Sequence, residues 1–521
     1  MTDRTLVNRN AQNSMLLKLF SDSHLLSENV RTRDAALLLL DECLRYDPTV
    51  VTVDIVQICI NDILMQSPCR LYLRDDRLEC GTEASLGYPD TEGWGSLETS
   101  LKALTMCFSY ISNFEIISLA FPILDQLVRH SNRFAREHVQ FLLHEVVRNC
   151  PLPFDDIIIG YLADGLEDNW SQVRYATGSA VRCLVRRIIA SNDYQPILNR
   201  IVPLLLLNRH FVAEGIKRQS QDTWRILVGS SGGFRLIQQS FNRIIEQLTI
   251  SIESINHSTR ESASSCMYEI LKRILVTPEN RLLLHSALTS VIRVVIASLE
   301  DEAWSVREFG HEAAGILYAN GSEGMSDIDS KLLKDQAEFV AALIFNDISH
   351  HVQPIRVSAG TALAKVAAHS LSDAWLDRLM CFIESNIDAC CTEINQGIVA
   401  GQSFKRITED QCCENRPMYS CGSLVSNSAI KNLHAHSMSD DCCASGTLRT
   451  DGKPKSWELS DGCIRLYAAM VKVPAVRMKL NENRILLCTN KLAQISRNTN
   501  FVKAIEIHEL ISDFFPLTFG A

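Results

Sequence analysis

The sequence predicts an all-α fold in which antiparallel helix pairs stack into a solenoid with a right-handed superhelical turn. Three observations predict it. Apolar residues recur at helical spacing, strand-like alternation is almost absent, and one helix-opening pattern returns along most of the chain. A single helix pair cannot bury its apolar face alone, so neighbouring pairs are expected to share one core.

The recurring pattern is an apolar or small residue followed by a basic one, with small and apolar residues behind it at helical spacing. From residue 136 onward the basic positions lie 38 to 49 residues apart, which is enough for two helices and their turns. The spacing therefore predicts one helix pair per repeat. The basic members are Arg31, Arg136, Arg174, Lys217, Arg260, Arg307 and Arg356.

The two helices of each predicted pair differ in composition. The first is strongly apolar, as in Ile157 to Leu166 and Val291 to Leu299. The second carries small residues near its start, which would let neighbouring helices approach closely. These small residues are Ala176, Ala313, Ala314 and Ala359.

Two segments, Leu162 to Arg174 and Ile296 to Arg307, share Leu-Glu-Asp, then Trp-Ser, then Val-Arg. This pattern resembles the HEAT-repeat (armadillo-like) α-solenoid superfamily, whose units carry an acid in the inter-helix turn and a basic residue early in the second helix. The resemblance covers residues 130 to 370. It implies a ladder of acid and base between successive repeats, although the acid is missing before Ile216-Lys217. The ladder positions are Asp168, Arg174, Asp301, Arg307 and Arg356, with Asp347 matching at looser spacing.

Composition along the chain predicts five regions. Residues 1–76 are N-terminal helical repeats, and 77–100 form a loop because Gly81 to Ser100 is glycine-rich and polar. Residues 101–390 are HEAT-like repeats, and 391–456 are a flexible insertion rich in Cys, Ser and Gly. Residues 457–521 form a C-terminal helical cap. Stretches in the first 45 residues are apolar enough to need covering, and an additional subunit would cover them. The sequence therefore does not determine the oligomeric state.

Composition also limits the classes of function. Hydrophobic residues are 46% and charged residues 21% of the chain, which favours a folded protein over a disordered one. The net charge of −10 argues against general affinity for nucleic acid or anionic membranes. The polar N-terminus lacks the apolar segment of a secretion signal, so a cytoplasmic location is expected, with the nucleus as the alternative. Most of the 18 cysteines are then expected to be reduced thiols.

Candidate catalytic and metal motifs have plainer explanations. Gly229 to Gly233 matches G-x-S-x-G, but a helix precedes it where a nucleophile elbow requires a strand, so a helix-ending turn is expected. The cysteine pairs at 390–391, 412–413 and 442–443, with Cys421, His434, His436 and Cys463, lack the C-x₂₋₄-C spacing of zinc sites. No metalloprotease, P-loop or dinucleotide motif occurs. We therefore expect no enzyme activity, no metal and no cofactor.

The resemblance implies a scaffold or adaptor that binds other proteins, without identifying the partner or the HEAT subfamily. Relatives in this superfamily include nuclear transport receptors, phosphatase scaffolds, chromosome subunits and translation regulators. An alternative is a nucleic-acid-binding solenoid that uses a basic face around residues 170–235. The same arginines could be a solvated helix face, or could hold an acidic peptide. The candidate residues are Arg182, Arg186, Arg187, Lys217 and Arg218.

Overall fold

The computed structural model describes residues 24–47, 53–66, 94–111, 113–151, 155–276, 278–320, 326–391 and 456–496. Within these ranges the regular structure is helical, and no strand occurs. The described residues divide into two compact units, unit 1 (Met1–Ser240) and unit 2 (Phe241–Ala521). The predicted all-α solenoid of helix pairs is confirmed, whereas its right-handed superhelical turn stays a prediction.

Unit 1 contains eleven described α-helices, with short 3₁₀ turns at His24–Leu26, Ser118–Ala120 and Gly229–Ser231. The helices are α1 (Val30–Tyr46), α2 (Val53–Gln66), α3 (Trp94–Tyr110), α4 (Phe114–Ile117), α5 (Phe121–Leu127), α6 (Arg133–Asn149), α7 (Asp156–Leu166), α8 (Ser171–Ser191), α9 (Gln195–Leu198), α10 (Ile201–Asn208) and α11 (Glu214–Val228).

The division between the units falls within α12 (Phe234–Ile252). The helices that follow in the described part of unit 2 are α13 (His257–Ile274), α14 (Pro278–His285), α15 (Leu288–Leu299), α16 (Trp304–Asn320), α17 (Asp327–Asn346), α18 (Gln353–His369), α19 (Asp373–Asn386), α20 (Ser456–Lys472), α21 (Pro474–Arg477) and α22 (Glu482–Ser496).

Asparagine caps fix where several second helices begin. The side-chain oxygens of Asn29, Asn132 and Asn256 accept hydrogen bonds from backbone N–H groups in the first turns of α1, α6 and α13, at 2.8 to 3.0 Å. Such a cap satisfies a donor that has no partner within the helix and contributes about 1 kcal/mol. The caps therefore set the register of the repeats from local sequence.

The segment that matches G-x-S-x-G ends a helix. α11 stops at Gly229, and Gly229, Gly232 and Gly233 all have positive φ, between 53° and 77°. A Cβ on Gly233 would lie 2.5 Å from the ring of Trp224, so the chain could not turn back closely with a larger residue here. This segment is a glycine turn that follows a helix, as the sequence predicts.

The second helices of successive pairs pack directly against one another in each unit. In unit 1 this row consists of α3, α6, α8 and α11, and in unit 2 it consists of α13, α16, α18 and α20. The small residues predicted near the starts of these helices lie in the contacts, since Ala176, Ala314 and Ala359 are fully buried. First helices such as α7 and α15 lie beside the row and close the core.

One region boundary differs from the sequence prediction. α3 begins at Trp94, so residues 94–100 of the predicted loop 77–100 are helical. Glycine-rich composition suggested a loop, but Leu97, Leu101 and Leu104 lie at helical spacing and are buried, and their burial outweighs one glycine in the first turn. The predicted run of repeats from 101 to 390 also spans both units.

α20 continues the row of second helices. It packs along α18 and also contacts α19, so α19 and α20 together take the places of one helix pair. The backbone N–H of Cys390 donates to Ser460 Oγ at 2.9 Å, which ties the end of α19 to α20. The predicted cap 457–521 thus starts with a repeat helix. Residues 392–455 of the predicted insertion, and 497–521 of the cap, lie outside the described residues.

No helix among the described residues is both long enough and apolar enough to span a bilayer.

Candidate protein-binding surface

An arginine occupies the fourth position of six second helices, and it anchors the turn before its own helix. In each case its guanidinium donates to the backbone carbonyl six residues earlier, at 2.5 to 3.0 Å. This bond gives a buried turn carbonyl a charged donor. The six residues are Arg33, Arg136, Arg174, Arg260, Arg307 and Arg356.

Most of these arginines also bind the next repeat through an ion pair. Arg136 binds Asp168 in a two-pronged contact, with Nε–Oδ2 at 2.6 Å and Nη2–Oδ1 at 3.1 Å. Arg260 binds Asp301 at the same two distances, 2.6 and 3.1 Å. Side chains in these pairs are at most 12% exposed. Each pair therefore fixes two neighbouring repeats with little screening by solvent.

Two of the ladder arginines bind an acceptor other than a turn aspartate. Arg174 donates to the side-chain oxygen of Asn208 at 2.7 Å, and Asn208 in turn donates to the Leu166 carbonyl at 2.9 Å. Arg356 pairs with Asp461 of α20 at 2.5 Å, and neither side chain is more than 1% exposed. The neutral Asn208 takes the place of the turn acid that is missing before α11.

The structure places Asp168, Arg174, Asp301, Arg307 and Arg356 in this ladder. Asp347, matched by sequence to Arg356, instead pairs with Arg307, with Nε–Oδ2 at 3.0 Å. The ladder arginine of α1 is Arg33, whereas Arg31, the basic member of the sequence pattern, is exposed. The reason is geometric, because only the fourth helical position reaches back to the turn carbonyl.

A second set of arginines covers the C-terminal ends of second helices in unit 1. Arg148 Nη2 donates to the Ser109 carbonyl at the end of α3 at 2.6 Å. Arg187 Nη1 donates to the Val147 carbonyl near the end of α6 at 2.5 Å. Carbonyls at a helix end lack partners within the helix, so these contacts satisfy them. These two arginines are 39 residues apart, which is about one repeat, and this spacing is the sequence signal for their shared role. Arg148 was not among the predicted residues.

The predicted basic face is partly neutralised by structural contacts. Arg182 donates to Thr223 Oγ1 at 3.2 Å and to the Gln219 carbonyl at 3.1 Å, which fastens α8 to α11. Arg218 pairs with Glu214 at 2.6 Å on the surface of α11. Lys217 is half-buried at the ladder position of α11. Arg182 and Arg187 hold neighbouring helices together and Arg218 is paired within α11, so these three arginines are not a free basic face.

Arg186 differs from its neighbours. It is exposed, and it makes no hydrogen bond or ion pair with any residue that the structure describes. It lies on α8 in one stripe with Tyr175, Ser179 and Arg182, because residues 4, 7 and 11 positions apart share a helix face. Its guanidinium is therefore available to a partner.

The matching stripe of α6 carries Glu137, Phe141, His144 and Arg148. Two aromatic rings are exposed on the two stripes, Phe141 by 39% and Tyr175 by 51%. We call the two stripes together the α6/α8 surface; its residues are Glu137, Phe141, His144, Arg148, Tyr175, Ser179, Arg182 and Arg186. This surface therefore combines aromatic and arginine side chains, the types enriched at protein interfaces.

A small cleft lies at the starts of α6 and α8. The Arg133 guanidinium carbon is 3.8 Å from the centre of the Trp170 ring and 4.7 Å from that of Phe134, in stacked cation–π contacts. The cleft has a volume of roughly 60 Å³ and also borders Glu137, Gln172 and Val173. It is too small for an ordinary ligand pocket, so Trp170 mainly serves inter-repeat packing.

Unit 2 contains a Ser–His–Asp contact chain that the sequence analysis missed. Ser358 Oγ lies 2.9 Å from His311 Nδ1, and His311 Nε2 lies 3.2 Å from the Asp347 carboxylate. His311 is completely buried and Ser358 is 4% exposed, so no substrate can reach the hydroxyl. Burial raises the pKa of Asp347. The His311 hydrogen bond and the Arg307 charge lower this pKa by a larger amount, so its net shift is downward. These Ser–His–Asp contacts therefore stabilise the arginine ladder.

Because His350 is a buried imidazole, we expect unit 2 to lose stability in mild acid. Burial, together with the charges of His351, Arg307 and Arg356, lowers the pKa of this imidazole to about 3, against the opposing effect of Asp347. The folded chain keeps the ring neutral, whereas the unfolded chain protonates it below about pH 6.5. Stability is therefore full above that pH. It falls by up to about 1.4 kcal/mol per pH unit as the pH drops towards 3.

A His350→Ser variant tests this pH dependence. Serine can still accept the turn hydrogen bond, as Ser254 does from Asn256 at 3.2 Å, but it cannot titrate. We expect a shallower decline of the unfolding free energy between pH 6 and about pH 4, measured by urea denaturation at several pH values. The exposed His369→Ser variant is the control and should keep the parent slope. An unchanged slope in His350→Ser would contradict the assignment.

Eight of the eleven described cysteines are buried thiols, whereas Cys381 is exposed. Burial raises the pKa of Cys107, Cys390 and Cys488 to about 12, so these thiols stay protonated near neutral pH. In the described parts of the chain no three His, Cys, Asp or Glu side chains are grouped as metal ligands. Of the zinc candidates, Cys390, Cys391 and Cys463 are described, and the others lie outside the described residues.

No protein-family model matches the sequence, and no curated protein matches it significantly. Among solved structures, an engineered protein aligns with 96% of this chain and 99% of its own, at 13% identity and a TM-score of 0.34. Kap95p, from a structure of its complex with RanGDP, aligns at 10% identity and a TM-score of 0.34, over 96% of this chain and 61% of its own. The karyopherin Kap121p bound to Nup53p aligns at 12% identity and a TM-score of 0.33, over 97% and 47%.

The chain thus spans about half to three fifths of the length of Kap121p and Kap95p. The fold assignment rests on features of the chain itself, namely the paired helices, the direct packing of second helices and the arginine ladder. By these features each of the two units has a HEAT-like α-solenoid fold.

Proposed function

We propose that the chain is a non-catalytic scaffold or adaptor that binds other proteins, and that the α6/α8 surface is one of its contact surfaces. The observation that carries this proposal is the exposure of Phe141 and Tyr175 beside Arg148 and Arg186 on adjacent second helices. Aromatic and arginine side chains contribute most of the binding energy at protein interfaces. A surface without a partner would gain solubility from shorter polar residues at these positions.

Nucleic acid is the second candidate partner, and the charges of unit 1 do not favour it. A phosphate backbone is bound by several lysines or arginines whose charges are free to replace counterions. Here Arg218 and Arg225 pair with Glu214 and Asp222, at 2.6 and 2.7 Å. The surface is therefore mixed in charge, which suits a protein partner better.

The absence of catalysis is part of the same proposal. The Ser–His–Asp contact chain is buried, and burial raises the pKa of the Cys107 and Cys390 thiols to about 12, so none of these groups is an accessible nucleophile. We also propose a cytoplasmic location, with the nucleus as the alternative.

Affinity capture from cell extract tests the proposed function. The tagged full chain is incubated with extract that has or has not been treated with nuclease, and the retained proteins are identified by mass spectrometry. We expect a reproducible partner that survives nuclease treatment. Recovery that disappears with nuclease would instead support the nucleic-acid alternative. A chain that retains nothing above the tag alone would contradict the scaffold proposal.

A further inference from the structure

We propose that the α6/α8 surface binds a short extended segment of a partner protein. This segment carries a large apolar residue and, about five residues before or after it, carboxylates. This inference rests on the proposed protein-binding function and names the chemistry of the partner. The surface has an aromatic end, with Tyr175 near the start of α8 and Phe141 halfway along α6, and a cationic end near the C-termini of both helices.

The aromatic end is held in place by its neighbours. The Tyr175 ring lies against Gly215 of α11, where a Cβ would be only 3.6 Å from the ring. The Phe141 ring packs edge-to-face on His138, with the ring centres 5.9 Å apart, and His138 Nε2 lies 3.3 Å from Glu98. Each ring is therefore supported on one side while a large part of it faces solvent. A partner side chain can pack there with little loss of conformational freedom.

The cationic end is a group of arginines around Cys183. Arg148, Arg186 and Arg187 all lie close enough to this thiol to act on it electrostatically, and among carboxylates Glu145 does so. Of the charged groups that act on this thiol, three are thus positive and one is negative. The positive excess favours an anionic partner group at this end.

The spare hydrogen-bonding capacity fits carboxylates better than phosphate. Arg148 already donates to the Ser109 carbonyl at 2.6 Å and pairs with Glu145 at 2.8 Å. Arg187 already donates to the Val147 carbonyl. Arg186 is the guanidinium without such contacts among the described residues, and one guanidinium matches one carboxylate in a two-pronged contact. A dianionic phosphate would draw on several unoccupied guanidinium groups.

The two ends lie on one stripe, which sets the spacing in the partner. Tyr175 and Arg186 are 11 residues apart, which corresponds to about 16 Å along a helix axis. An extended peptide covers about 3.3 Å per residue, so about five residues span this distance. The partner segment must therefore carry an apolar and an acidic group about five residues apart.

Peptide binding to the purified full chain tests the inference. The probe is a fluorescein-labelled peptide with one tryptophan, four Gly-Ser spacer residues and three glutamates, and binding is followed by fluorescence anisotropy. We expect binding that weakens as salt increases. Peptides with glutamine for glutamate, or serine for tryptophan, are expected to bind at least about tenfold more weakly, since each loses one of the two contacts.

Two variants locate the binding on the α6/α8 surface. Arg186→Glu and Tyr175→Ser are each expected to weaken the glutamate peptide at least about tenfold, while circular dichroism stays unchanged. The matched controls on α1, Arg31→Glu and Tyr46→Ser, change exposed residues of the same types and should bind like the parent.

Three outcomes would overturn the inference: no binding of the glutamate peptide, equal binding of the glutamine peptide, or unchanged binding by both surface variants. A phosphoserine peptide that binds far more tightly than the glutamate peptide would overturn the assignment to carboxylates. These failures are distinguishable from failure of the scaffold function. A nuclease-resistant partner that Arg186→Glu still captures would keep the proposed function and reject this surface chemistry.

Discussion

Replacing Asp461 with alanine is expected to lower the unfolding free energy of unit 2 by about 3 to 5 kcal/mol. Asp461 is completely buried and accepts hydrogen bonds from Arg356 at 2.5 Å and Arg465 at 3.0 Å. Its loss leaves the Arg356 charge, which is 1% exposed, without its counterion. An unpaired charge in the interior costs several kcal/mol, so this rung should be the most sensitive to a single substitution.

Urea denaturation followed by circular dichroism measures this loss. The control is Asp335→Asn, which changes an exposed acid of α17 and should stay within about 0.5 kcal/mol of the parent. The double variant Arg356→Met with Asp461→Leu removes both charges together and is expected to lose less than Asp461→Ala. A single variant as stable as Asp335→Asn would show that Arg356 does not depend on Asp461.

The Gly462→Ala variant is expected to destabilise unit 2 by more than about 3 kcal/mol, beyond the usual cost of overpacking. A Cβ at Gly462 would lie 1.7 Å from the carbonyl oxygen of Ile348, in the turn before α18. That oxygen belongs to the backbone and cannot rotate aside. α20 would have to move away from the turn, and the same movement would lengthen the contact between Asp461 and Arg356.

Hydrogen exchange measured by mass spectrometry locates this effect. We expect backbone amides of α18 and α20 to exchange faster in Gly462→Ala. Gly215→Ala is the matched control, because its Cβ would meet only the Tyr175 ring at 3.6 Å. Alanine in an open helical position should be neutral or stabilise by up to about 1 kcal/mol. Parent-like exchange in α20 would mean that α20 does not pack against this turn.

The helix pairs and half of the ladder could be predicted from sequence because both follow from local pattern. A fourth-position arginine needs only its own helix start, and caps such as Asn132 and Asn256 mark that start. The misplacement at Arg31 arose because the basic residue alone, without the cap, leaves the position uncertain. Arg33 lies four residues after Asn29, as the other ladder arginines of capped helices do.

The other half of the ladder depends on tertiary structure. The acceptor comes from the next repeat, and its chemistry and distance along the chain vary. Arg174 uses Asn208, which no acid pattern detects. Arg356 uses Asp461, 105 residues away, after a stretch that composition separates from the repeats. Only the packing of α20 on α18 brings that aspartate to the ladder.

The α6/α8 surface could be predicted only in part. Sequence clustering selected Arg182, Arg186 and Arg187, but it could not distinguish the arginine that is free from those that hold helices together. That difference depends on which carbonyls lie opposite each side chain, such as Val147 for Arg187. The exposed rings of Phe141 and Tyr175 resembled core residues by composition, and their exposure emerges only from the stacking of second helices.

Hydroxyl-radical footprinting of the chain, alone and with its nuclease-resistant partner, tests the protein-binding surface most directly. Exposed aromatic rings report solvent access: Phe141 and Tyr175 on the α6/α8 surface, and Tyr46 and Phe339 elsewhere as references. We expect the partner to lower oxidation of Phe141 and Tyr175 while Tyr46 and Phe339 react as before. Unchanged oxidation of Phe141 and Tyr175 in the complex would contradict it.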